Sequence, residues 1–406
     1  MRVEEAQSLV LARVRAGAAT RVPLGAAFGT IAAAPVDSPI ALPAAAVAVM
    51  DGYAVRDRDL VGDVARVPVI GESAAGRPFA AALAGAAAVR ISTGAIVPTG
   101  ADRVVAQEDT TRDGELVAID VPRALGSARF VRAAGSDVAR GSRLVEPGSR
   151  LGATELALLT ACGQGEIDVH ARPRVVVVST GDELVAPGTA PGPGQIVGTN
   201  GGMLAALARA AGAEVLPQIV AADDLDVLVA ALADALEGAL AADVVITCGG
   251  ASVGDHDLVL PALQRCGARV HFHGVAARPG KPTAYATTAT SHVFALPGNP
   301  ASAFVMFELF VRPALRRLLG VRGEVVRPLR RLPAATALAG AGARAHYLRA
   351  RIVDGRVHAL PDQASGSLRS LVDVDALVRV PIGVDRVDAG SECDALVLSD
   401  AWYERA

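Results

Sequence analysis

At 406 residues with a formal net charge of −3, the chain is too long for one ordinary core and is expected to divide into three or four domains. It has no basic cluster of the kind nucleic acid requires and no run of about 18 strongly apolar residues, and Met1-Arg-Val-Glu-Glu-Ala6 carries acids where a secretory signal needs an apolar core; a cytoplasmic protein without nucleic-acid or membrane partners is expected. The four cysteines, Cys162, Cys248, Cys266 and Cys393, contain no C-x-x-C pair, which argues against a zinc site and a disulfide framework.

Residues 2–16 place Val3, Ala6, Leu9 and Val10 at helical spacing, and Gly17 is the stop. Pro39 and Pro43 mark an extended connection, and Asp51-Gly52 marks a tight turn between two apolar runs. From there to about residue 137, short apolar segments at 67–70, 88–91, 103–106 and 116–119 are cut by Gly and Pro, which predicts a compact β-rich domain. Residues 138–170 return to a helical pattern, with Thr154 expected to cap Glu155-Leu-Ala-Leu-Leu-Thr-Ala161 and Gly163 to end it. This segment is expected to pack with the N-terminal helix, making the β-rich part an insertion.

The pattern changes after residue 171. Arg174-Val-Val-Val-Val178 is continuously apolar, as a parallel strand covered on both faces must be. Asn200 is expected to cap a helix over 201–211, residues 215–220 to form a second strand, and Asp223 to begin a helix running to about Leu240. Val244-Val-Ile246 predicts a third strand. A glycine-rich loop, a helix to Cys266, strands near Val270 and His292, and a helix from Pro300 to Leu319 that continues past Pro313 complete the alternation. Such alternation implies a doubly wound α/β sheet with right-handed crossovers. Beyond Gly320, short segments at 346–352 and 376–380 suggest a small C-terminal β domain. The expected architecture is therefore multidomain, α/β and β: a helical linking domain (1–36 with 138–170), an inserted β-rich domain (37–137), a doubly wound α/β domain (171–320) and a C-terminal β domain (321–406).

In a doubly wound sheet, ligands collect beyond the carboxyl ends of the strands. Five loops there carry chemistry: Ser179-Thr-Gly-Asp-Glu183, Asp223-Asp224, Gly249-Gly-Ala-Ser-Val-Gly-Asp-His-Asp257, Arg278-Pro-Gly-Lys-Pro282 and Pro297-Gly-Asn-Pro-Ala-Ser302. Gly249, Gly250 and Gly254 allow close backbone approach, and Asp255 and Asp257 place carboxylates at a helix start, which suits a phosphate accompanied by a divalent metal. A plain turn with an Asp cap would use the same residues, and Asp223-Asp224 could equally be a solvated helix start. Gly280-Lys281 lacks the spacing of a P-loop, and Pro282 stands where Ser or Thr is needed. Gly250-Ala-Ser-Val-Gly254 has the nucleophile-elbow pattern, but no histidine has an obvious claim as its base; His256, His271 and His273 lack the spacing of a zinc helix.

Six ordered motifs carry a resemblance across essentially the whole chain: Met50-Asp-Gly-Tyr-Ala-Val55, Ser92-Thr-Gly-Ala95, Ser179-Thr-Gly-Asp-Glu-Leu184, Gly249 to Asp257, Pro279-Gly-Lys-Pro282 and Leu296-Pro-Gly-Asn-Pro-Ala-Ser302, followed by Asp362-Gln-Ala-Ser-Gly-Ser-Leu-Arg-Ser370. Together they resemble the molybdopterin molybdenumtransferase (MoeA-type) family, which includes the E domain of gephyrin. The resemblance implies a transferase that inserts molybdate into adenylylated molybdopterin and releases AMP, with magnesium as the cation. It also implies an elongated homodimer, and contacts with a molybdopterin adenylyltransferase and with recipient molybdoenzymes. By motif match, Glu183, Asp223 and Asp257 serve the metal and the adenylyl phosphates. Asp51 and Thr93 come from the neighbouring subunit. Gly249, Gly250, Ser252, Gly254, Asp255, Pro297, Gly298 and Asn299 contact substrate, and Arg278, Lys281, Ser302, Arg349 and Ser365 hold the molybdate. Three positions depart from the family pattern. Arg278 stands where Lys is frequent, Gly274 where many members carry a basic residue, and Asp375 where Asn is common. Adenylylation of molybdopterin and a non-catalytic scaffold are the alternative functions, the first because the α/β part alone resembles the adenylyltransferase fold.

Overall fold

The structure is a computed structural model, which describes residues 1–249 and 258–398. The part that positions the site is a seven-stranded mixed sheet. Its strands run in the order Glu214–Val215, Arg174–Thr180, Val244–Cys248, His292–Leu296, Ala284–Thr287 and Arg269–His273, with Ile219–Ala221 also paired to Arg174–Thr180. The pairings from Glu214–Val215 to His292–Leu296 are parallel, and the last two strands add antiparallel.

Side chains alternate across this sheet. Val175, Val177, Val244 and Ile246 face a core shared with the helix Asn200–Ala210 and the long helical run from Pro300, whereas Val176, Val178 and Val245 face the helices Leu225–Leu236 and Val259–Arg265. With both faces covered, Val175 to Val178 are all fully buried, each contributing about 1.5–3 kcal/mol of transfer free energy. The doubly wound expectation holds, extended by the antiparallel edge that includes Ala284–Thr287, a strand the sequence did not signal.

Local chemistry explains the differences in detail. The second strand splits into Glu214–Val215 and Ile219–Ala221 because Pro217 between them has no N–H for the ladder. The next helix begins at Leu225, not Asp223, and ends at Leu236. Its cap is Asp224, whose carboxylate accepts from the N–H groups of Asp226 and Val227. Asn200 is the first helical residue rather than the cap. The final helix does continue past Pro313, through a π-helical turn at Phe307–Val311 into Arg312–Leu318; Pro313 cannot donate to a carbonyl one turn back, and a wider turn is a common accommodation.

The N-terminal helix, Val3–Leu11, does not pack on residues 138–170. Val3, Ala6 and Val10 enter the α/β core beside Phe307 and Leu315, and Gln7 donates to the Leu309 carbonyl at 2.8 Å. The strand after it, Ala19–Pro23, pairs instead with Glu166–His170. Residues 138–170 are also less helical than expected, with one helix, Ala153–Ala161, between strands Arg143–Val145 and Glu166–His170. Its cap is Gly152, whose N–H donates to Glu155, so Thr154 lies inside the first turn.

Residues 52–120 form a six-stranded sheet in the order Arg103–Ala106, Gly52–Val55, Ala88–Ile91, Val64–Ser73, Leu116–Asp120 and Thr110–Asp113. The Asp51-Gly52 turn does not close a hairpin: Val47–Ala48 pairs with Val131–Arg132, and Gly52–Val55 with the two strands beside it. The C-terminal strands Leu329–Pro333, Ala345–Val353, Arg356–Ala359, Ala376–Val380 and Glu392–Val397 form a further sheet, and Ala277–Arg278 joins it alongside Ala345–Val353. That two-residue addition stitches the C-terminal part to the α/β sheet. No helix among the described residues is long and apolar enough to cross a membrane.

Candidate active site

At the carboxyl ends of the parallel strands lies a cavity of about 460 Å³. Arg174–Thr180 delivers Ser179, Thr180 and Glu183 to it; Val244–Cys248 delivers Cys248 and Gly249; His292–Leu296 leads into Gly298, Asn299 and Pro300. Two glycines make this junction possible. Gly181 has φ +151°, and a Cβ there would meet the Glu183 carboxylate at 2.5 Å, so glycine lets that carboxylate fold back over the loop. Gly249 has φ +98°, and a Cβ would lie 2.3 Å from the Thr180 carbonyl oxygen.

Asp223 ties the loops together. Its carboxylate accepts from the Thr180 hydroxyl at 2.7 Å and from the Asp182 N–H at 3.4 Å, and its own N–H donates to Asp182 at 3.0 Å. It is not among the described residues that line the cavity. Asn200 donates to the Gly298 carbonyl at 2.5 Å, and its buried Oδ1 has no partner among the described residues. Cys248, which donates to the Pro297 carbonyl at 3.5 Å, is pushed up to about 12 by burial, so it lines the cavity as an inert thiol.

A second cavity, of about 280 Å³, is lined by Arg278, Pro279, Gly280, Lys281, Pro282, Ser302, Arg344, Gln363, Ala364 and Ser365. No carboxylate is among these residues, and none of Arg278, Lys281 and Arg344 forms an ion pair with a described residue. The two cavities share walls. The turn from Gly298 runs from the larger cavity to Ser302 in the smaller, and Ser365 lines the smaller while Gly366 lines the larger. The Ala301 N–H donates to the Ser365 carbonyl at 3.0 Å, which locks the two walls together.

Arg349 sits behind this wall. It is fully buried, and burial holds its pKa below the usual guanidinium range. Its Nη2 donates to the carbonyls of Asp362 and Ala364 at 3.2 and 3.1 Å, while Gln363 bonds both ends of its backbone. Its Nε and Nη1 are buried without a partner among the described residues, an arrangement an anionic oxygen would complete.

Asp51 and Thr93 meet each other, but neither appears in the described lining of either cavity. Gly52 pairs with Ile91, so Asp51 and Thr93 leave the six-stranded sheet at the same end. One Asp51 oxygen accepts from the Thr93 N–H at 2.6 Å and the Thr93 hydroxyl at 2.9 Å. These bonds, with Arg90 nearby, hold the exposed carboxylate below its usual pKa. Arg90 itself lies over the Tyr53 ring at 5.2 Å.

The structure thus brings together Glu183, Gly249, Pro297, Gly298 and Asn299 on one side, and Arg278, Lys281, Ser302 and Ser365 on the other. Gly250, Ser252, Gly254, Asp255 and Asp257 lie outside the described residues. Among the described residues no cluster of three or more His, Cys, Asp or Glu has metal-binding geometry. Arg344 and Gln363 were missed. Gln363 lies within the motif Asp362 to Ser370, whereas Arg344 lies outside all of them, and the edge pairing of Ala277–Arg278 with Ala345–His346 brings it to the cavity.

Residues 1–163 match the family described as MoeA N-terminal region (domain I and II), 176–317 a probable molybdopterin binding domain, and 331–398 the MoeA C-terminal region (domain IV). The chain is 37% identical over 402 residues to molybdopterin molybdenumtransferase 2 of Mycobacterium tuberculosis, covering 96% of this chain and 98% of that protein. It is 37% identical over 390 residues to the molybdopterin molybdenumtransferase of a Nostoc species, covering 93% and 88%. A crystal structure of a molybdopterin biosynthesis MoeA protein from Pyrococcus horikoshii superposes with a TM-score of 0.86 at 32% identity, covering 98% of this chain and 99% of that one.

Proposed function

The chain belongs to the molybdopterin molybdenumtransferase (MoeA) family and is a transferase of molybdenum cofactor biosynthesis; from that premise we propose that its two cavities divide the insertion of molybdate into adenylylated molybdopterin. The smaller cavity takes the oxyanion. Arg278 and Lys281 supply charge, Ser302 and Ser365 supply hydroxyl donors, and Arg349, buried behind the wall, holds the loop that carries Ser365. The larger cavity takes the adenylylated pterin, with Gly249, Pro297, Gly298 and Asn299 giving close backbone approach to its phosphates; Gly250, Ser252, Gly254 and Asp255, which follow Gly249 in sequence, are assigned to the same substrate. The shared wall from Gly298 to Ser302 and at Ser365-Gly366 is the observation that carries this reading, because the metal must pass from oxyanion to dithiolene as AMP leaves.

Magnesium would be held by Glu183 and Asp223 with Asp257, and when bound it would neutralise charge on the phosphate oxygens. The donor set fits: Glu183 opens to the cavity, Asp223 keeps lone pairs beyond the two donors it accepts from, and the orphaned Asn200 oxygen can accept from a water on the ion. Asp51 and Thr93 reach the site from the partner subunit of a homodimer, which accounts for their position away from both cavities in one chain. The domain division 1–36 with 138–170, 37–137, 171–320 and 321–406 belongs to the same proposal, supported from Ala19 onward by the pairing of Ala19–Pro23 with Glu166–His170, while Val3, Ala6, Val10 and Val14 pack in the α/β core. So do a cytoplasmic location, receipt of substrate from a molybdopterin adenylyltransferase and delivery of product to molybdoenzymes.

Purified protein given adenylylated molybdopterin, magnesium and molybdate should release AMP. ATP with molybdopterin should give no adenylylated product, and the reverse pattern would move the chain to the adenylyltransferase reaction. Co-expressed Asp51→Ala and Glu183→Gln chains, each inactive alone, should recover about a quarter of wild-type activity through heterodimers that keep one intact site. No recovery would contradict the shared site.

A further inference from the structure

We propose that Arg344 is the third cation lining the oxyanion pocket, and that it sets the pocket's preference for a doubly charged tetrahedral oxyanion over a singly charged one. The proposal rests on the assignment of the smaller cavity to molybdate.

Arg344 immediately precedes the strand Ala345–Val353. The Ala345 N–H donates to the Ala276 carbonyl at 2.9 Å, and Ala277 and Arg278 pair with Ala345 and His346. These bonds fix the Arg344 backbone beside the chain that carries Arg278. The side chain is half-buried and lines the cavity with Arg278 and Lys281. Three cations around about 280 Å³ with no lining carboxylate repel one another, so the arrangement is unfavourable until an anion enters. The positive field extends to His346, whose protonation is opposed by burial first and then by Arg278, Arg349 and Arg344.

Arg349 has a different part. With its Nη2 spent on two loop carbonyls, it is chiefly a positioning residue for Ser365, and the charge facing the open cavity from the C-terminal sheet is that of Arg344. Attraction scales with ligand charge, so removing one cation costs a dianion about twice what it costs a monoanion of the same shape.

Calorimetric titration of the full-length protein with molybdate and with perrhenate, which is tetrahedral but singly charged, tests this. Arg344→Gln should weaken molybdate about tenfold or more and perrhenate by about threefold. Arg344→Lys should keep molybdate within about threefold of wild type. Arg351→Gln, an exposed charge farther along the same strand, should change neither, and matching thermal unfolding should show that all variants fold. Wild-type molybdate affinity in Arg344→Gln, or equal losses for the two anions, would overturn the proposal. Because binding is read without turnover, the predicted pattern in a protein that releases no AMP would fault the proposed reaction and leave this assignment standing.

Discussion

The larger cavity is made mainly by the ends of parallel strands within one sheet, whereas the smaller one is made along a seam between two sheets. Three walls of the first come directly from strands in the chain's own order, Thr180 ending Arg174–Thr180, Gly249 after Val244–Cys248 and Gly298 after His292–Leu296, and Gly366 and Leu368 of the C-terminal part close the fourth. The second depends on Ala277–Arg278 leaving the α/β fold to join Ala345–Val353. The strand-end walls therefore follow from each strand and its loop, while a seam site needs two folded sheets to dock correctly. Among the described residues Glu183 and the backbone groups line the first; Arg278, Lys281 and Arg344 line the second.

The largest expected effect comes from removing the acid that opens to the strand-end cavity. Glu183→Gln should lower AMP release about 10²- to 10³-fold with the molybdate dependence unchanged, as measured by initial rates across molybdate concentrations. Retention of half the rate would remove Glu183 from the chemistry. On the seam side, Lys281→Ala should raise the molybdate concentration for half-maximal rate about 10- to 100-fold. A fall in saturated rate with no change in that concentration would put Lys281 on the wrong side of the division.

The seam has its own structural support. Glu308, buried within the last helical run, accepts from Arg327 at 2.8 Å, and Arg327 also reaches the Val397 carbonyl at 3.3 Å in the C-terminal sheet. Glu308→Ala should destabilise the protein by about 3 kcal/mol in urea unfolding. A change below about 0.5 kcal/mol would show that the link does not hold the sheets together.

The smallest effect is one of pH. Burial and the neighbouring arginines depress the folded-state pKa of His346 below 6.5, with the Ala339 carbonyl opposing them. The unfolded chain then binds the proton more readily, so the contribution of His346 to stability is full above about pH 6.5 and is lost as pH falls below it. His346→Gln should flatten the fall in unfolding free energy between pH 7 and pH 5; an unchanged slope would assign that fall to other groups, such as His271 and His292, which are shifted the same way.

How far each region was legible in the sequence follows the same contrast. The continuously apolar Arg174-Val-Val-Val-Val178 and Val244-Val-Ile246 announced buried strands, and the polar residues after them announced the larger cavity. Pairing between distant segments left no comparable mark. Nothing in Ala277-Arg278 signals a strand that changes sheets, and so Arg344 went unseen although its charge is plain. The N-terminal helix was read correctly as a helix, but the surface it packs against is decided by Phe307 and Leu315, some 300 residues away. Asp223 was recognised as an acid at a strand end, but its exchange of bonds with Thr180 and Asp182 requires the folded loops to meet.

The division between the cavities is tested most directly by titrating molybdate alone into Glu183→Gln and Lys281→Ala. Wild-type molybdate affinity is predicted for Glu183→Gln, and affinity about tenfold weaker or worse for Lys281→Ala. Equal loss in both, or loss only in Glu183→Gln, would contradict it.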